Sequence, residues 1–116
     1  MKYYIGLLSG TSIDGIDAAV VAIGKNKIKL IACHSKDFSA ELAKQLHELI
    51  NNQTSTLANF ANADYQLAYE FSKAVIELLG KANLTAKDIT AIGSHGQTVY
   101  HQPYEDKYDA ISKQAL

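Results

Sequence analysis

Apolar and polar positions along this chain change period once, and the change separates two kinds of element. Residues 3–8 and 16–23 are short apolar runs rich in β-branched and aromatic side chains, so each reads as a strand. Between them lies a polar turn, Ser-Gly-Thr-Ser-Ile-Asp-Gly, with Asp17 just inside the second strand. A polar turn at 24–27 leads to a third strand over residues 28–34. Strict alternation there puts Ile28, Leu30 and Ala32 on one face, with Lys29, Ile31 and Cys33 on the other. Three strands joined by two short connections make an antiparallel meander.

From residue 39 the spacing becomes helical. Ser39 reads as an N-cap with Glu41 in the first turn, and Leu42, Leu46, Leu49 and Ile50 form one apolar stripe. Thr56 reads as the cap of a second helix about 34 Å long at ~1.5 Å per residue. Its expected stripe is Leu57, Phe60, Ala61, Leu67, Ala68, Phe71, Val75, Leu78 and Leu79, ended by Gly80 or Asn83. Tyr65 and Tyr69 flank that stripe and read as packing residues with hydroxyls at the surface. Thr85 to Asp88 predicts a single capped turn, and residues 89–93 a fourth strand. A strand reached by a helical crossover is expected to run parallel to one of the meander. The fold class is therefore α/β.

Composition narrows the function classes. With 116 residues the chain suits one domain with a modest core, and 47% hydrophobic with 20% charged content is ordinary for a globular protein. A net charge of −1 argues against a nucleic-acid binder. All the basic residues are lysines, so no guanidinium can clamp a phosphate in bidentate fashion. The single cysteine, Cys33, excludes an intrachain disulfide and, lying in an apolar run, reads as a buried, inert thiol. No apolar run approaches 18 residues and no signal-peptide pattern precedes the first strand, so the expected location is the cytoplasm, without membrane contact.

Two polar clusters carry the candidate chemistry. The first is the turn Gly10, Thr11, Ser12, Ile13, Asp14, Gly15, Ile16 and Asp17. Small side chains let a backbone approach a ligand, successive N–H groups of a tight turn suit phosphate oxygens, and the acids can hold magnesium through water. The same residue types also make an ordinary hairpin turn. Two common phosphate motifs are absent: the loop has no lysine, and no G-x-G-x-x-G enters a helix. The second cluster, Ser94 to Thr98, sits at the C-terminal end of the fourth strand, where open α/β sheets place ligands. His95 can donate to a sugar hydroxyl or a phosphate, Gln97 can both donate and accept, and Gly96 lets the chain turn. No His/Cys/Asp/Glu set has zinc-ligand spacing, and no serine sits in a nucleophile elbow.

The pair S-G-T-S-I-D-G-I-D at Ser9 to Asp17 and G-S-H-G-Q-T-V at Gly93 to Val99 closely resembles the N-terminal part of the anhydro-N-acetylmuramic acid kinase family. The element order is similar to the first lobe of the actin/hexokinase/Hsp70 ATPase fold. The resemblance implies an ATP- and Mg2+-dependent sugar kinase of cell-wall recycling. Residues 10–17 would match the ATP phosphate loop, and His95, Gln97 and Thr98 positions close to the sugar. Residues 1–103 would be the N-terminal lobe. Residues 104–116 no longer follow the family, as expected of a truncated, frame-shifted or decayed sequence. Family members are about three times longer, and no residue here matches their catalytic aspartate, so this chain alone is expected to be inactive. Basic residues that many members carry are replaced by Tyr100 and Gln102. A lone lobe would expose apolar surface, which suggests a homodimer. Two other classes compete: an actin-like nucleotide-binding assembly protein, and a phosphate- or sugar-binding module without catalysis.

Overall fold

The computed structural model describes residues 1–10, 12–52, 54–101 and 113–115. Its elements run β1 (Lys2–Ser9), β2 (Gly15–Ile23), β3 (Ile28–Asp37), α1 (Ala40–Asn52), α2 (Leu57–Ala82), a 3-10 turn (Ala86–Asp88), β4 (Ile89–Ser94), β5 (Thr98–His101) and β6 (Lys113–Ala115). One sheet has the order β3-β2-β1-β4, with β1 antiparallel to β2 and parallel to β4. The α/β fold with its meander and parallel fourth strand thus follows the sequence pattern and is that of an actin/hexokinase-like ATPase lobe. A second pairing, β5 antiparallel to β6, has no counterpart in the sequence reading. It takes in residues read there as loop and tail. The expectation of a divergent tail over residues 104–116 otherwise falls on residues 104–112 and 116, outside the described residues.

Both helices are set against one face of the sheet. Ile5 and Leu7 of β1, and Ile16, Ala18 and Val20 of β2, meet Leu42 and Leu46 of α1 and Leu67, Phe71, Ala74 and Leu78 of α2. Full burial of a side chain such as Leu46 or Leu78 contributes about 1.5–3 kcal/mol. Both caps form as expected. The Leu42 N–H donates to Ser39 Oγ at 3.2 Å, and the Asn59 N–H to Thr56 Oγ1 at 3.0 Å. Asn83 ends α2 in the left-handed conformation at φ 56°, while Gly80 stays inside the helix.

The buried face of α2 departs from the expected stripe. Ala63, Leu67, Glu70, Phe71, Ala74 and Leu78 face the core, whereas Leu57 is 89% exposed and Phe60, Ala61 and Ala68 are exposed as well. Apolar spacing alone therefore does not put those residues on the core, which α2 meets through the face carrying Ala63, Leu67, Phe71, Ala74 and Leu78. Tyr65 and Tyr69 are exposed rather than packed; Tyr69 lies 4.8 Å from the Lys73 ammonium. Glu70 is buried because it has partners: Oε1 accepts from the Ser39 N–H at 3.1 Å, and Oε2 lies 3.8 Å from Lys36 Nζ.

In β3 the alternation breaks. Val20 pairs with Ala32 but Val21 pairs with Leu30, which leaves Ile31 as the extra residue of a bulge. Ile31 and Ala32 therefore both pack on the core, while Ile28 and Leu30 are exposed. The faces beyond the bulge are exchanged relative to simple alternation. Cys33 is consequently exposed on the helix-free face, which corrects its reading as a buried thiol.

Candidate functional site

The turn after β1 is fixed at four points. The Ile13 N–H donates to the Gly10 carbonyl at 3.2 Å, closing a tight turn. Ile13 itself has φ 59° and is only 3% exposed, so its side chain is a plug in the core. A β-branched residue in the left-handed region is strained by about 1–2 kcal/mol, and burial of the side chain is what offsets that cost. The Phe38 N–H, at the end of β3, donates to the Asp14 carbonyl at 3.2 Å. At Gly15 a Cβ would stand 2.3 Å from the Lys36 carbonyl oxygen, so only glycine allows β2 and β3 to close at this end.

What the turn presents outward is small and polar. Gly10, Ser12 and Asp14 are exposed, and a Cβ at Gly10 would meet only Ser12 Oγ, at 3.8 Å. Asp17 lies on the helix-free face of β2 and accepts a hydrogen bond from Ser35 Oγ at 2.7 Å. Gly15 and Ile16 belong to the framework, and Thr11 lies outside the described residues. Among the described residues no three His, Cys, Asp or Glu side chains gather as a metal site. The acids fit magnesium only in the manner expected for that ion, through water and phosphate oxygens.

Parallel pairing of β1 with β4 brings the second cluster to the same end of the sheet. The His95 N–H extends the ladder to the Leu7 carbonyl at 2.9 Å, and its side chain is exposed. Gly96 turns the chain at φ 72°, its N–H donating to Ser94 Oγ at 3.2 Å. Gln97, expected at a sugar, is turned inward and is 0% exposed. Its Oε1 accepts from Ser9 Oγ at 2.5 Å, and its Nε2 donates to the Gly10 carbonyl at 3.2 Å and the Thr98 carbonyl at 3.1 Å. Thr98 is half-buried at the start of β5. The two clusters are therefore joined, and Gln97 is the joint.

A cavity of about 590 Å3 among the described residues lies elsewhere. It lies between the C-terminal end of α1 and the start of α2, lined by Gln45, Asn52, Asn59 and their neighbours, and includes no residue of either cluster. Size alone does not mark the site. A clear pKa shift among the described residues is also remote. His34 Nε2 lies 2.9 Å from Glu77 Oε2 and holds that carboxyl below the usual value, with Lys36 adding to the effect.

Against this geometry, the family model for anhydro-N-acetylmuramic acid kinase matches residues 2–113. The chain belongs to that family. Among curated anhydro-N-acetylmuramic acid kinases, that of Hydrogenovibrio crunogenus is 45% identical over 102 residues, covering 88% of this chain and 28% of the relative. That of Vibrio parahaemolyticus is 43% identical over 105 residues, covering 90% of this chain and 28% of its own length. The Vibrio cholerae kinase is 43% identical over 102 residues. The chain thus spans little more than a quarter of the length of the curated kinases it matches.

Sequence reasoning missed the anchors behind the kinase motif. Phe38 and Lys36 act through backbone atoms that no motif records, and the left-handed Ile13 is invisible in a list of residue types. Ser9 could have been found, as a polar residue at an inward-facing strand position.

Proposed function

We propose that this chain is the N-terminal part of an ATP-dependent sugar kinase that opens the 1,6-anhydro ring of anhydro-N-acetylmuramic acid with water and phosphorylates its 6-oxygen, giving N-acetylmuramic acid 6-phosphate. One observation carries the reading. The glycine-rich turn and the His95 to Thr98 segment, distant in sequence, meet at the same end of two adjacent parallel strands. A kinase must hold a phosphate chain and an acceptor side by side, and this arrangement supports both at once.

In this reading residues 10–17 lie along the phosphates of ATP, with backbone N–H groups and the Ser12 hydroxyl as donors. Asp14 and Asp17 are the residues that would hold Mg2+, which would neutralise phosphate charge there. His95 and Thr98 line the sugar side. ATP supplies the phosphoryl group, and phosphoryl transfer asks the protein mainly for positioning and charge neutralisation. The residues present are suited to those two tasks. The reading assigns the general base to no residue of this chain, which answers for half of a site. It places the protein in the cytoplasm as a homodimer, and among the described residues no helix is long and apolar enough to cross a membrane.

The test is a titration of the 15N-labelled chain with Mg·ATP and, separately, with the anhydro-sugar. Mg·ATP is expected to shift resonances of residues 10–17, and the sugar those of residues 95–98, without turnover of radiolabelled ATP by this chain alone. No response to millimolar Mg·ATP would sink the reading.

A further inference from the structure

We infer that Gln97 is the positioning residue of the phosphate loop, holding the Gly10–Ile13 turn in its ligand-ready shape from behind and tying it to the sugar-side strand. The inference rests on the phosphate-loop reading but requires a role that the reading does not assign. Gln97 is fully buried, and its amide is committed in three directions, to Ser9 Oγ, the Gly10 carbonyl and the Thr98 carbonyl.

The Gly10 carbonyl is the decisive partner. It accepts the Ile13 N–H that closes the turn as well as the Gln97 amide, so one oxygen serves both the turn and the clamp. The turn it closes contains the left-handed Ile13, a conformation that relaxes unless its surroundings hold it. Core packing holds the Ile13 side chain, and the Gln97 amide holds the opposite end of the turn.

The glutamine amide meets every demand at this position. Two carbonyls require two N–H donors, and the Ser9 hydroxyl requires an acceptor. Glutamate retains the acceptor but loses both donors, and methionine has the shape with neither. The position in the chain adds a consequence. Gln97 stands between His95 and Thr98, and its Nε2 also bonds the Thr98 carbonyl. A displacement of the sugar-side segment is therefore transmitted to Gly10 through one amide, without an intervening side chain.

The experiment is residue-resolved amide hydrogen exchange on the whole 116-residue chain, without nucleotide, for wild type, Gln97→Met, Gln97→Glu and Ser9→Ala. In Gln97→Met the Ile13 amide and its neighbours in the turn are expected to exchange about tenfold faster, the equivalent of one lost hydrogen bond. Amides in the centres of β1, β2 and α2 should keep their rates. Gln97→Glu should open the turn as much, although it can still accept from Ser9, and Ser9→Ala should open it less than threefold. Equal acceleration of the turn and the core would reduce Gln97 to a packing residue, and an unchanged turn would overturn the clamp. Should the position-97 variants fail to fold, the wild type decides. Its Gln97 side-chain N–H groups and the Ile13 amide should exchange as one opening event, within twofold of each other, and independent rates overturn the inference. Because no ligand is present, failure here is distinct from failure of the Mg·ATP titration.

Discussion

The closest approach at the site gives the sharpest prediction, Gly15→Ala. A Cβ at residue 15 would lie 2.3 Å from the Lys36 carbonyl oxygen and 3.0 Å from both the Lys36 carbonyl carbon and Asp37 Cα, all of them backbone atoms. No rotamer change relieves such a contact. Ordinary separation requires the end of β3 to retreat by about 1 Å, typical of the backbone shifts that overpacking forces at ~1–3 kcal/mol. That end is tied down. Gly15 pairs with Asp37 and Ile16 with Lys36, the Phe38 N–H bonds the Asp14 carbonyl, and the Ser39 N–H bonds buried Glu70. Losing one of these hydrogen bonds adds about 1 kcal/mol. The smaller backbone entropy of an unfolded alanine returns about 0.4–1 kcal/mol. The expected cost is therefore about 1–3.5 kcal/mol, and at a urea slope of ~1.5 kcal/mol/M the midpoint falls by roughly 0.7–2.3 M. Gly6→Ala is the control, since nothing lies within 4 Å of a Cβ there, and its midpoint should be unchanged or slightly higher. A Gly15→Ala midpoint within roughly 0.3 M of wild type, on a slope in the usual range, would refute the steric argument.

Other consequences follow from strain, burial and titration. At Ile13, glycine should be no more destabilising than alanine in urea, because it relieves the left-handed backbone while both substitutions empty the same buried site. Alanine better by 1 kcal/mol or more would refute the strained conformation. Leu46→Ala, at a fully buried position, should cost about 2–5 kcal/mol, whereas Leu57→Ala on the exposed end of α2 should stay within ~0.5 kcal/mol; equal costs would contradict the observed seam. Because His34 lowers the Glu77 pKa from its ordinary 4.5, the pair's contribution is complete above that pH and is lost as the pH falls through the lowered value. The midpoint difference between wild type and Glu77→Gln should therefore shrink from about pH 6 to about pH 3, and a difference constant over that range would count against it.

The sequence alone determined the elements whose signals are local. Strands at 3–8 and 16–23 and both helix N-caps follow from residue type and period, because short-range sterics and hydrogen bonding decide them, while the choice of Asn83 over Gly80 as the end of α2 came from the structure. The two motifs were legible as a pair, through their resemblance to a known family, because small polar residues at a strand end also make ordinary turns. Their meeting was a topological inference from the helical crossover, and the parallel β1–β4 pairing agrees with it. Only the tertiary structure decided what depends on a partner distant in sequence. The bulge at Ile31 places Cys33 in the open and Ile31 on the core, and no residue in that stretch announces it. Apolar spacing sets Leu57 and Leu67 on one stripe, but only Leu67 joins the core cluster and Leu57 stays exposed on the same helix. Gln97 shows the division most plainly. Its chemistry as donor and acceptor could be read from the residue type, but whether that chemistry faces a ligand or the protein depends on Ser9 and Gly10, more than eighty residues away. A hydrogen-bonding group carries no record of its partner until the chain has folded around it.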